Sequence, residues 1–314
     1  MKKKITTGMI IAGSVILSAG LAGCGAQNTK QADITKDSLI QKAADTFASL
    51  KSVDADIDMD MDVKISATGF SMEMKNDAQM EAESCNDGSS HIKGHMNMSA
   101  IGMEKDADVE MYTVKEGDEF IQYYKITESG NEDVWTYSKS DNQALASVEE
   151  LDESKVNEAV QKLNGVFSDM KLHKDTVNFN NVNCYLMEGT VEGEKIAQFM
   201  TETVPDIDQT ALDSYKMMDF DTSFYFKAND ETPYAVVIDM KDAVKNIVAA
   251  QLDQTEGLNM DISAEEMKAT VIFNSFNNVK EIKVPEEVKK KAVETSEPFD
   301  MTSLTGMFGQ NGSM

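Results

Sequence analysis

The sequence predicts an α+β fold in which an antiparallel sheet carries most of the chain. Three observations lead there. A strict alternation of acidic and apolar residues begins at Asp56, the same alternation recurs in runs separated by turn signals, and helical spacing returns between two strand-rich halves. The 314 residues make one large domain or two small ones, and a 41% hydrophobic content suffices for a packed core.

The first 23 residues read as a secretory signal. Lys2, Lys3 and Lys4 form a positive start, and residues 5–22 are apolar, short and end in small side chains. Leu21-Ala22-Gly23-Cys24 resembles the bacterial lipobox, in which the Cys is lipidated and the chain is cut just before it. Cys24 is therefore the expected lipid-attachment site. Such an anchor holds the protein at the extracytoplasmic face of the cell membrane, since each buried methylene contributes about 0.8 kcal/mol. Residues 24–36 are polar and aperiodic, and read as a tether.

Residues 37–53 are expected to form the first helix, with Leu39, Ala43, Phe47 and Leu50 on one side and Asp37 as N-cap. From Asp56 the period changes to two. Ile57, Met59, Met61, Val63 and Ile65 fall on one face of a strand, and Asp56, Asp58, Asp60 and Asp62 on the other. Phe70, Met72, Met74, Ala78 and Met80 repeat the pattern, then Met96, Met98 and Ala100, then Ala107, Val109 and Met111. Asn86-Asp87-Gly88 and Glu116-Gly117-Asp118 are turn signals between runs. Further strands are expected at residues 120–126 and 134–137.

Helical spacing over residues 141–174 places Val156, Val160, Leu163, Phe167 and Met170 in a stripe, with Asp152 as N-cap. A strand at 176–191 follows, then short helices at 194–200 and 207–217. Strands at 221–227 and 234–240 flank the turn at Asn229-Asp230. An amphipathic helix is expected around Val244, Ile247, Val248 and Leu252, and a last strand over 267–284, stopping at Pro285. The body spans 37–290, and residues 291–314 read as a mobile tail.

Charge excludes some functions. There are 55 acids against 29 basic residues, all lysine, for a net charge of −26. Nucleic acid is no partner for a chain this negative that lacks guanidinium groups. Removing the signal takes away three lysines and no acid, so the mature charge is −29. An acidic body of this kind stands off an anionic bilayer.

No catalytic pattern emerges, and the expectation is a non-enzyme without cofactor or metal. His91-Ile-Lys-Gly-His95 has zinc-protease spacing but no Glu, and on a strand its rings lie roughly 13 Å apart. Asp56-x-Asp58-x-Asp60 would need Gly where Met61 stands to be a calcium loop. The Met59/Met61, Met72/Met74 and Met96/Met98 pairs could hold a soft metal, yet each fills the apolar slot of an alternating strand. Cys85 and Cys184, far apart and in unlike settings, are expected to stay unpaired.

The element order, the lipobox and the closing Asn277-Asn-Val-Lys-Glu-Ile-Lys-Val-Pro-Glu-Glu-Val288 stretch make the chain similar to the LolA-like lipoproteins. Those include the LppX and LprG type, and the likeness is nearest to Gram-positive members. The resemblance covers residues 37–290. It implies a curved antiparallel β half-barrel with helices packed on the concave side, where an apolar or lipid-like ligand is held. The alternation then nominates Ile57, Met59, Met61, Val63, Met72, Met74, Met80, Met96, Met98, Val109 and Met111 as the ligand-lining set. The rival reading is a packed core behind an acidic surface that binds cations or wall polymers. Oligomeric state is not legible in the sequence.

Overall fold

The computed structural model describes residues 34–67, 70–100, 103–117, 119–128, 134–140, 165–203, 209–216, 218–243 and 260–295. The signal, the lipobox with Cys24, most of the tether, Asp152 with Val156, Val160 and Leu163, and the helix from Val244 onward lie outside them.

Helix α1, Lys36–Ala48, starts one residue earlier than the expected 37. Its N-cap is Thr35 and not Asp37: Thr35 accepts from the Ser38 amide, and Ser38 accepts from the Thr35 amide at 3.1 Å. This reciprocal pair satisfies two otherwise orphaned donors. The helix ends at Ala48, five residues short of the expected 53, because β1 has begun at Ser52.

β1 (Ser52–Ala67), β2 (Phe70–Cys85), β3 (Ser90–Ala100), β4 (Met103–Glu116), β5 (Glu119–Glu128) and β6 (Thr136–Ser140) form an antiparallel meander. Its turns are those the sequence marks. Gly88 and Gly117 hold φ of 83° and 68°, a region open to glycine. Asp87 braces the first turn by accepting from the Ser89 amide and hydroxyl.

After Val166 and Phe167 the chain enters β7 (Lys171–Leu172), so the expected helix to 174 stops earlier. The strand expected at 176–191 is a hairpin, β8 (Val177–Phe179) and β9 (Val182–Val191). Asn180 and Asn181 both take positive φ there, as a two-residue turn matched to strand twist requires. Helices α2 (Gly193–Thr203) and α3 (Gln209–Lys216) precede β10 (Phe220–Lys227) and β11 (Pro233–Asp239).

β12 is Met260–Phe276 and ends at Asn277, whose φ is 59°, so the strand expected to reach 284 stops there. Asn277 accepts from the Ser52 amide and donates to the Ser49 carbonyl, tying the close of β12 to the α1–β1 junction. The chain then runs as a strap without regular secondary structure to Pro285, which opens a helix the periodicity does not reveal, α4 (Glu286–Lys291). β13 (Val293–Glu294) pairs in parallel with β6, so hydrogen bonding continues past residue 290.

The thirteen strands among the described residues belong to one curved, unclosed sheet of order β13-β6-β5-β4-β3-β2-β1-β12-β11-β10-β9-β7, with β8 also paired to β9. The pairing of β1 with β12 joins the two halves. Because side chains alternate, register assigns every residue to one of two faces. The apolar face carries the methionines in the N-terminal half. In the C-terminal half it packs against α1, α2 and α3 around Leu39, Met187, Phe199 and Phe226. The opposite face is acidic over β1–β3. Beyond them Tyr112, Val114, Ile121 and Tyr123 bury against Val284 of the strap and Val288 of α4.

Candidate functional site

The register brings every nominated residue onto one face. Across β1 and β2, Ile57 opposes Met80, Met59 opposes Ala78 and Val63 opposes Met74, while Ile65 opposes Met72. Ala78 then faces Met96, Met80 faces Gly94, and Asn76 faces Met98. Val109 lies beside Gly94 and Met111 beside Ile92. Gly94 is needed at the centre: a Cβ there would collide with the Gln79 carbonyl and the Met80 side chain, so only glycine lets β2 and β3 approach this closely.

Burial divides the set. Met80, Met96, Met98, Val109 and Ala78 form a buried cluster, with Ile57, Met59, Ile92 and Ile126 packed against it. Val63 is buried, whereas Met61, Met72, Met74 and Met111 are half-buried. Met111 accepts a hydrogen bond from Gln122 at 2.9 Å.

The same face continues across β12, since Val271 opposes Ile57 and Ala269 opposes Met59. It then reaches Val236 and Ile238 on β11, Phe224 on β10 and Met187 on β9. α1 lies on this half, with the Phe47 ring set edge-on to Phe273 and Phe276 at 5.5 and 5.7 Å. An apolar cavity of about 50 Å³ remains under α1, lined by Ile40, Phe47, Phe167, Phe224, Val271 and Phe273 among others. These aromatics were missing from the nominated set. Phe224 and Phe226 do alternate in sequence, but only the β1–β12 pairing shows that they extend the methionine face.

A cavity of about 660 Å³ lies on the other face. It is an open trough lined by Asp56, Asp58, Glu81, Asp108 and Glu110 together with Lys93 and His95. Burial, and then repulsion from Asp60, Asp56 and Asp77, pushes the Asp58 carboxyl above its ordinary range. His95 pairs with Asp108 at 2.9 Å, and His91 stacks on Tyr112 with Glu110 3.3 Å from its ring. Among the described residues no group of three or more His, Cys, Asp or Glu side chains is placed to hold a metal ion. Cys85 and Cys184 are free thiols, and burial raises both. No helix among the described residues is long and apolar enough to cross a membrane.

A family model matches residues 35–293, from the cap of α1 to the first residue of β13. The chain belongs to this family, a family of unknown function (DUF6612). No curated protein matches. Among solved structures, LprF from Mycobacterium bovis is similar at 11% identity and a TM-score of 0.38, covering 79% of this chain and 96% of that one. A beta-barrel-like protein of the domain of unknown function DUF1849 from Brucella abortus is 8% identical with a TM-score of 0.23, covering 72% of this chain and 97% of its own. A DUF1329 family protein from Desulfovibrio piger is 8% identical with a TM-score of 0.17, covering 78% and 93%. At these scores the strand register, and not the likeness, carries the description of the site.

Proposed function

We propose that this member of the family is a lipid-anchored, extracytoplasmic binding protein that holds an apolar or amphipathic ligand against its methionine face, and that it is not an enzyme. Cys24 is the anchor, residues 24–36 the tether, and carriage of lipid within the envelope is the role such a body would serve. The observation that carries the reading is the register. It joins the methionine cluster and the aromatic slit under α1 into one uninterrupted apolar surface spanning β5 to β9.

The slit's 50 Å³ is well below the roughly 300–1,000 Å³ of formed ligand pockets. A ligand must therefore displace side chains as it arrives. Methionine suits that task, being unbranched and polarizable, and repacks around variable apolar shapes at low cost. Branched residues would fill a permanently dry core more uniquely.

Met98→Trp tests this, with a fluorescent fatty-acyl probe and thermal melting read on the same protein. Ligand binding predicts that wild type takes up the probe and that the variant loses uptake while melting near wild type. A permanently packed core predicts no uptake by wild type and an overpacking loss of about 1–3 kcal/mol in the variant.

A second reading, cation or wall-polymer binding at the acidic face, is favoured by the 660 Å³ trough. It predicts that millimolar calcium or magnesium raises the melting temperature and that Asp58→Asn with Glu110→Gln removes the effect.

A further inference from the structure

Among the described residues three buried side-chain oxygens have no hydrogen-bond partner: Asn76 Oδ1, Ser138 Oγ and Thr222 Oγ1. Register puts all three on the apolar face. Ser138 opposes Gln122, and Gln122 opposes Thr113 in the parity of Met111. Thr222 shares the parity of Phe224. A hydroxyl can rotate and either donate or accept, but a carboxamide oxygen only accepts. A buried acceptor without a donor costs the fold stability.

Asn76 also sits at a boundary. It lies between Met61 and Met98, and the same row continues to Lys105 on β4, two strand spacings or roughly 10 Å away. Lys105 pairs at 3.8 Å with Glu128, which opposes Ala107. This polar row borders the buried cluster on the side of the strand tips, where Met72 and Met74 are only half-buried.

We propose that the Asn76 row is a head-group subsite, and that its ligand is an amphiphile with an uncharged head bearing a hydroxyl donor. The assignment rests on the binding role proposed above and names the ligand class for that face. A hydroxyl supplies the proton that Asn76 Oδ1 lacks. An anionic head would find the lysine already engaged by Glu128, whose carboxylate repels it. A cationic head would meet Lys105.

The test is displacement of a fluorescent acyl probe from the mature chain, expressed from position 24 with Cys24→Ala to keep it free of lipid. The competitors share one chain: 1-monooleoylglycerol, methyl oleate, which has no donor, and oleate. Monooleoylglycerol is expected to compete about fivefold better than methyl oleate, the worth of one net hydrogen bond, with oleate no better than the ester. Asn76→Leu should abolish that preference and leave methyl oleate unchanged. Asn76→Ala gives the same reading should leucine not fit between Met61 and Met98. A preference that survives either variant, or oleate as the best competitor, overturns the head-group assignment alone. Failure of all three to bind wild type overturns the binding role, and this subsite with it.

Discussion

Asp58 shows what the acidic face does to a single carboxylate. Its neighbours along β1, Asp56 and Asp60, project the same way, and Asp77 adds to them from β2. A folded-state pKa above the unfolded 3.8 means that ionising Asp58 works against the fold. The penalty is absent below about 3.8, where both states are protonated, and is complete once pH has risen past the folded value. Asp58→Asn is therefore expected to raise the melting temperature at pH 7, and the gain should vanish in melts at pH 3. Solvent screening keeps it under about 1 kcal/mol. Lys75 plays the opposite part, bridging Asp62 and Glu73 at 2.9 Å each across the same strands.

At the scale of elements, α1 decides how the C-terminal half is sealed. Leu39 is fully buried and Ile40 and Ala44 nearly so, against Met187, Phe226 and the helices α2 and α3. Among the described residues its polar ties to the rest of the fold include the Lys36 ammonium donating to the Ser168 carbonyl at 2.7 Å and, at the C-cap, the Asn277 side-chain amide donating to the Ser49 carbonyl. Apolar burial holds it. Leu39→Ala should cost about 2–5 kcal/mol by chemical denaturation, with α1 amides losing hydrogen-exchange protection ahead of those in β1 and β12. Equal loss everywhere would show that the helix and the sheet unfold as one unit. α1 contributes nothing to the buried methionine cluster itself, so only half of the apolar face is closed by it. The amphipathic helix expected around Val244 lies outside the described residues.

At the scale of the whole molecule, the sheet is long, open and strongly negative on one side. The mature charge of −29 and the proposed lipid anchor make opposite demands, repulsion from an anionic bilayer and attachment to it. The proposed tether, residues 24–36, reconciles them. Cys24→Ala is expected to abolish detergent-phase partitioning and metabolic palmitate labelling, leaving the body's circular dichroism unchanged. Retained labelling would remove the anchor from the account.

Much of this was legible in the chain because strand parity is a local property. The alternation from Asp56 to Ile65, and its echoes through Met111, already sorts side chains into two faces, whatever the strands pair with. Turn chemistry is local too, so Gly88 and Gly117 mark their hairpins correctly. Non-local pairings were not legible. Nothing near Met267 announces that β12 lies beside β1, and nothing in β10 says that Phe224 extends the surface begun by Ile57. Asn76 reads in sequence as an ordinary polar residue of β2. Only the tertiary structure places its oxygen, buried and without a hydrogen-bond partner among the described residues, between Met61 and Met98. The sequence by itself determined which side chains share a face, through the two-residue repeat of the extended backbone. The tertiary structure alone decided which faces meet, because that depends on contacts between residues more than two hundred positions apart.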